Sequence, residues 1–164
     1  MSSVDFIIDA NQDVENAFQM VCEGLKFNDK TLDECSAELT FPLLSPGMGY
    51  GDLQIANCRY IELSELIMCN YAIAKSVFDY SSMSYNNALK KKTSSMLEAI
   101  RQDATKRVPG FDTLEKTASL DCINQYTSLK VSEIFLDFWK TYYEKLNLLD
   151  SRLSNLNFLY KAKV

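Results

Sequence analysis

The sequence predicts an all-α fold, in which a long, coiled-coil-like antiparallel helical hairpin follows one or two short N-terminal helices. The 164 residues include only five glycines and three prolines, and two of these prolines fall in one short stretch. The third, Pro109, separates two breaker-free segments of roughly fifty residues each. In both segments apolar residues recur at threes and fours, the spacing of one helix face.

Residues 1–41 are expected to form the short helices. Over residues 11–25, apolar side chains lie at helical spacing, namely Val14, Ala17, Phe18, Val21, Cys22 and Leu25. A second short helix is indicated by Thr31 with Glu34 three residues later, because this pair forms a capping box at a helix N-terminus.

A linker is predicted over residues 42–51. This stretch holds two prolines and three glycines, which cannot continue a helix. Residues 52–107 then contain no proline or glycine and are expected to form one long helix.

The hairpin, residues 52–164, is expected to turn at residues 108–111. Asp112 and Glu115 supply a second capping signal there, so we expect a new helix to begin beside them. The returning helix should run without interruption to about Tyr160.

The returning helix carries a heptad seam, which alternates spacings of three and four residues. Its members are predicted to pack the hairpin: Phe135, Trp139, Tyr142, Leu146, Leu149, Leu153, Leu156 and Tyr160. A subunit interface is predicted to include most of them and two flanking aromatic residues: Phe135, Phe138, Trp139, Tyr142, Tyr143, Leu146, Leu149, Leu153 and Leu156. Continued toward the turn, the same register meets only polar residues, Ser132, Ser128, Gln125 and Asp121. The seam is therefore expected to be thinly packed near the turn.

The chain has no histidine, which argues against the usual side-chain catalysis. Without histidine there is no Ser-His-Asp triad, no Cys-His pair and no histidine zinc site. We expect no catalytic residue, no metal site and no cofactor; a metal centre built only from carboxylates is the remaining enzymatic alternative. The five cysteines show no CxxC spacing, and no signal peptide or membrane span is expected, so a soluble cytoplasmic protein is predicted.

Charge is distributed unevenly along the chain. Residues 1–89 hold 4 basic and 13 acidic side chains, whereas residues 90–130 hold 8 basic and 5 acidic. A basic cluster after a Tyr/Ser/Asn-rich stretch suits single-stranded nucleic acid, because cations meet phosphates and a tyrosine stacks on a base. The candidate contacts are Lys90, Lys91, Lys92, Thr93, Arg101, Lys106, Arg107 and Tyr85, with Tyr80 as a second stacking candidate. The alternative is an ordinary solvated helix face, since acidic residues are interspersed.

Two stretches of the hairpin, KKKTSSMLEAI at residues 90–100 and DSRLSNLNFLYK at residues 150–161, stand on either side of a proline-containing break. Together they resemble the UvsY-type recombination mediators of tailed phages. Mediators of this family oligomerise, bind single-stranded DNA and help to load a recombinase. The resemblance implies Lys90, Lys91, Lys92 and Thr93 as strand contacts and Arg152 as part of the closing helix.

We therefore expect a non-enzymatic, homo-oligomeric accessory protein that binds single-stranded DNA and assists recombination or replication with a protein partner. An acidic helical interaction module, such as a viral inhibitor or scaffold that binds a host protein and no nucleic acid, is the alternative. The charge of −9 over residues 1–89 motivates this alternative, because it repels DNA and attracts a basic protein surface.

Overall fold

The part of the chain that this computed structural model describes, residues 25–102 and 109–162, is almost entirely helical, which confirms the all-α prediction. Its elements are, in chain order, β1 Lys26–Phe27, β2 Lys30–Thr31, α1 Leu32–Glu38, α2 Tyr50–Gln102, α3 Phe111–Asp121 and α4 Ile123–Lys161. The helix predicted over residues 11–25 lies outside the described residues, apart from Leu25, which is not helical.

A tight β-hairpin precedes α1 and was not predicted from the sequence. Its two short strands pair antiparallel, with Phe27 opposite Lys30. The turn residues Asn28 and Asp29 have φ angles of 51° and 65°. Asn and Asp enter this left-handed region more readily than other non-glycine residues, and two in succession make the turn that joins short strands.

Helix α1 begins with the predicted capping box, which is confirmed. The Thr31 hydroxyl accepts a hydrogen bond from the Glu34 backbone N–H at 3.2 Å, and Glu34 Oε2 accepts one from the Thr31 backbone N–H at 2.7 Å. These contacts lower the pKa of Glu34, and the hydrogen bond from the Thr31 backbone N–H is the largest cause. Cys35 on the helix and Leu39 just after its end are buried.

One arginine of α2 holds the chain that leaves α1. Arg59 Nη2 donates to the Glu38 carbonyl oxygen at 2.9 Å and to the Thr40 hydroxyl at 3.2 Å. Its Nη1 donates to Glu62 Oε2 at 2.8 Å. A single guanidinium thus satisfies a carbonyl at the end of α1 and fixes the start of the connection to α2.

The chain divides into two compact units. The first unit comprises Met1–Leu63 and Arg152–Val164, and the second unit comprises Ser64–Ser151. Helices α2 and α4 contribute residues to both units.

In the first unit, α2 and α4 pair antiparallel. The Tyr50 and Tyr160 rings stack with their centroids 5.2 Å apart. Farther along α2, Asn57 hydrogen-bonds Asn157. Rising residue numbers on one helix therefore meet falling numbers on the other. The core of this unit includes Leu53, Ala56, Leu63 and Leu153, all buried.

The second unit shows the same antiparallel pairing, so the hairpin prediction is confirmed. Tyr71 stacks on Tyr143 at 4.9 Å, and Tyr85 lies against Tyr126 at 5.6 Å. The predicted seam is buried here, and α2 meets it with small and branched apolar residues: the buried set includes Ile67, Ala74, Trp139, Leu146 and Leu149.

The returning helix is interrupted at Cys122, so the prediction of one continuous helix is wrong. Helix α3 ends at Asp121, and Cys122 has φ −102° and ψ 24°, outside the helical region. The Cys122 backbone N–H donates to the Ser119 carbonyl at 3.1 Å, and the Tyr126 N–H donates back to the Cys122 carbonyl at 3.0 Å. The last turn of α3 tightens, and α4 starts anew on the other side of a buried cysteine.

The second predicted capping box, at Asp112 and Glu115, is also wrong. Helix α3 begins at Phe111 with Gly110 as its N-cap, and no side chain caps it. Asp112 instead lies in the first turn, where its carboxylate interacts favourably with the helix dipole. The long helix α2 starts at Tyr50, two residues before the predicted start.

Candidate nucleic-acid interface

The three consecutive lysines of α2 have different surroundings. Successive helical residues are about 100° apart around the axis, so the three side chains leave the helix in different directions. Lys90 and Lys91 are exposed. Lys92 reaches α3, where its Nζ lies 2.8 Å from Asp121 Oδ2. The hydrogen bond to Asp121, reinforced by its charge, raises the pKa of Lys92. Its charge is largely balanced within the second unit.

Two other candidate contacts are engaged in packing. Thr93 is only 8% exposed, which leaves its side chain little surface for a ligand. The Tyr85 ring is half-buried and tilted by 57° against Tyr126. Tyr80, one turn and a half earlier on α2, is 68% exposed. Of the two stacking candidates, Tyr80 therefore has the more accessible ring.

Tyr80 and Lys91 share one exposed face of α2. Ser84 follows Tyr80 by four residues, and Lys91 follows Ser84 by seven, which are spacings of residues that stand above one another on a helix. Arg101 continues the exposed cationic surface toward the end of α2. Within residues 25–102 and 109–162, neither Lys90, Lys91 nor Arg101 forms an ion pair. Lys106 and Arg107 lie outside the described residues.

Two grooves adjoin this face in the second unit. One, of about 300 Å³, lies between α2 and α3, where Lys90 and Leu97 line one side and Glu115 lines the other. The other, of about 200 Å³, is bounded by six polar side chains: Tyr80, Ser81 and Ser84 of α2, and Asn124, Gln125 and Ser128 of α4. From the sequence, Gln125 and Ser128 were expected only as a weak stretch of the seam. The structure brings them opposite Tyr80.

The residues predicted to form a subunit interface lie mainly between the helices of the chain itself. Trp139, Leu146, Leu149 and Leu153 are buried, and Phe135, Phe138, Tyr142, Tyr143 and Leu156 are half-buried. The Phe138 ring packs edge-on against Trp139 at 5.2 Å, and Tyr143 stacks on Tyr71. Apolar residues that are open to solvent lie on α2, where Leu66, Ile73 and Val77 are 40–46% exposed, and also on α3 and α4, where Leu120, Leu148 and Phe158 are 62–73% exposed.

The described residues show no grouping typical of a metalloenzyme. Among residues 25–102 and 109–162, no three His, Cys, Asp or Glu side chains stand close enough to share a metal ion. The search of the same residues for a helix of sufficient length and apolarity to traverse a lipid bilayer found none.

Comparisons with known proteins do not point to a relative. No profile of a known protein family, no curated protein and no solved structure matches the chain. The function proposed below therefore rests on the residues of the chain itself.

Proposed function

We propose that the protein is a non-enzymatic, self-associating accessory factor that binds single-stranded DNA in the cytoplasm and assists recombination or replication. One observation carries the proposal: an exposed tyrosine and exposed cations, which form no ion pair among the described residues, lie on the surface of one helix. Tyr80 is 68% exposed, Lys91 lies on the same face of α2, and Lys90 directly precedes Lys91.

This combination has the two properties that sequence-independent binding of a single strand requires. Lysine and arginine side chains neutralise phosphates and release condensed counterions. An exposed aromatic ring stacks on a base of any sequence, which contributes about 1–3 kcal/mol per base. Tyr80 supplies the ring, and Lys90, Lys91 and Arg101 supply the cations. Because the whole chain has a net charge of −5, binding should be confined to this face and weakened strongly by salt.

Self-association belongs to the same proposal, because apolar surface remains on α2 in the second unit. Leu66, Ile73 and Val77 follow one another at spacings of seven and four residues, which puts them on a common face. Contiguous apolar surface of this kind is typical of interaction sites. We expect a second copy or a protein partner to cover it.

The test is a fluorescence titration of a labelled oligothymidylate at low salt. The variant Lys90→Ala/Lys91→Ala is compared with Lys75→Ala/Lys140→Ala, which removes two other exposed lysines of the second unit and so matches the change in charge. We expect the first variant to lose about tenfold or more in affinity and the second to lose little, since only the first removes phosphate contacts. Equal losses in both variants, or no binding by the wild-type chain, would contradict the proposal.

The acidic interaction module is a second candidate, and the exposed apolar face of α2 favours it as well. Glu65 lies beside Leu66, and both are exposed, so acidic and apolar surface adjoin each other. A basic protein partner with its own apolar patch would match this surface in both respects.

A pull-down with the purified chain after nuclease treatment separates this candidate from the first. If the partner is held by the apolar face, Ile73→Asp should abolish its capture, whereas Met68→Asp should not. Met68 is a fair control because it is 53% exposed and lies on a different face of the same helix. Loss of every captured protein on nuclease treatment would rule out this candidate and favour nucleic acid.

A further inference from the structure

A groove of about 200 Å³ in the second unit opens between α2 and α4. It lies beside the contact of Tyr85 with Tyr126, because Ser84 of its lining precedes Tyr85, and Gln125 precedes Tyr126. Farther along α4, Ser132 and Trp139 are buried. The six residues that line the groove are all polar or carry a hydroxyl group.

The polar lining is unusual because two of its members occupy seam positions. Gln125 and Ser128 continue the register of Phe135 and Trp139, where an antiparallel hairpin normally packs leucine. Both residues are exposed, so the seam is open to solvent at these two positions. Departures of this kind from the packing pattern are expected at functional sites.

The lining is neutral and rich in both hydrogen-bond donors and acceptors. The side-chain amides of Asn124 and Gln125 each offer one acceptor oxygen and two donor N–H groups. No other residue of the described chain hydrogen-bonds to either amide, whereas the Ser128 hydroxyl already donates to the Asn124 backbone carbonyl at 3.0 Å. Because none of the six lining residues is charged, the groove suits a neutral ligand that both donates and accepts.

The size of the groove and its rim suit a flat ring. A cavity of about 150 Å³ is enough to hold benzene, so 200 Å³ accommodates a heteroaromatic ring. Tyr80 stands at the rim with 68% of its surface exposed, and its ring is able to stack on a ligand that enters. The edge of a nucleobase carries the mixed donors and acceptors that paired Asn and Gln amides bind.

We infer that this groove takes one unstacked base of a single-stranded nucleic acid, an inference that rests on the proposed function. Tyr80 stacks on the base, and the amides of Asn124 and Gln125 bond its edge. Lys91 lies two turns, about 10 Å, beyond Ser84 on the same face of α2, so a strand with a base in the groove passes this cation.

The experiment compares two oligonucleotides of equal length, one of thymidylate and one that is abasic throughout. Both carry the same phosphates, and only the first carries bases. For the wild-type chain we expect roughly tenfold tighter binding of the thymidylate strand, the effect of one stacked and hydrogen-bonded base. For Asn124→Leu/Gln125→Leu we expect that preference to vanish while the affinity for the abasic strand is retained. Asn147→Leu, an exposed asparagine elsewhere on α4, should behave as wild type.

The outcomes separate the groove from the proposed function. If neither strand binds, the proposed function fails and the inference fails with it. If both strands bind equally well to the wild-type chain, or if Asn124→Leu/Gln125→Leu keeps the full base preference, the groove inference alone is overturned. Should the double variant fail to fold by circular dichroism, Asn124→Ala/Gln125→Ala replaces it, because both residues are exposed and alanine favours the helix; it too should lose the base preference.

A variant that fills the groove combines a stability measurement with the binding comparison. Ser128→Leu places an apolar side chain in the groove, at a position of the seam, and should raise the melting temperature. The same change should weaken binding of the thymidylate strand about tenfold and leave the abasic strand unaffected, because it fills the groove. A rise in melting temperature with unchanged base preference would overturn the inference.

Discussion

The side chains of Asn57 on α2 and Asn157 on α4 hydrogen-bond each other reciprocally. The Asn157 Nδ2 donates to Asn57 Oδ1 at 3.2 Å, and the Asn57 Nδ2 donates to Asn157 Oδ1 at 3.4 Å and to the Leu53 carbonyl at 2.8 Å. A paired amide in a largely apolar seam is satisfied only in one register, since a shift of either helix would separate the two side chains. The pair therefore selects the alignment of α2 and α4 in the first unit.

The first prediction concerns this asparagine pair. Asn57→Leu alone should destabilise the protein by about 1–2 kcal/mol, because it leaves Asn157 half-buried without its partner. Asn57→Leu/Asn157→Leu should recover most of that loss, since two leucines pack against each other. Urea denaturation of the single and double variants measures the coupling. Strictly additive losses would show that the two amides act independently.

The second prediction concerns Lys92, whose charge Asp121 balances at 2.8 Å. Asp121→Asn should free this lysine for a phosphate and raise the affinity for a thymidylate strand about two- to fivefold. The slope of log affinity against log salt should steepen by about 0.7, the value for one more phosphate contact with a single strand. An affinity unchanged or lowered by Asp121→Asn would exclude Lys92 from the binding surface.

The third prediction concerns stability at alkaline pH. The pKa of Lys92 is raised above its ordinary value of 10.5, chiefly by the hydrogen bond to Asp121. A raised pKa stabilises the folded state fully below the ordinary value, and this contribution is lost as the pH climbs through the raised value. The difference in urea midpoint between wild type and Asp121→Asn should therefore be constant from pH 7 to pH 10 and shrink above that. A difference that grows at alkaline pH would contradict this assignment.

The fourth prediction concerns Arg59, which contacts the Glu38 carbonyl, the Thr40 hydroxyl and the Glu62 carboxylate. Arg59→Ala should lower the free energy of unfolding by about 1–2 kcal/mol. Arg59→Lys should not restore it, because an ammonium group cannot reach three acceptors with the geometry of a guanidinium. Arg101→Ala, an exposed arginine of the same helix, is the control. Full rescue by lysine would indicate that only the charge matters.

Much of the fold was accessible from local sequence patterns. The heptad of the returning helix predicted the buried positions Trp139, Leu146 and Leu149, and Thr31 with Glu34 predicted the start of α1. Such features depend on residues within one or two helical turns, which is why they can be predicted from the sequence. The break at Cys122 escaped prediction, because neither glycine nor proline marks it.

The candidate site was predicted less completely, since it depends on contacts between distant residues. Nothing within α2 indicates that Lys92 is balanced by Asp121, or that Tyr85 packs on Tyr126 while Tyr80 remains open. The β-hairpin did have a local signal that was missed: Asn28 and Asp29, two residues able to take positive φ, stand between its strands.

The salt dependence of single-strand binding tests the central claim most directly. Fluorescence anisotropy of a labelled oligothymidylate, measured across a range of salt concentrations, gives the slope of log affinity against log salt for the wild-type chain and for Lys90→Ala/Lys91→Ala. We predict measurable binding by the wild type and a slope that is shallower by about 1.4 in the variant, which corresponds to two lost phosphate contacts. Identical slopes for the two proteins, or the absence of wild-type binding at low salt, would contradict a nucleic-acid role for this face of α2.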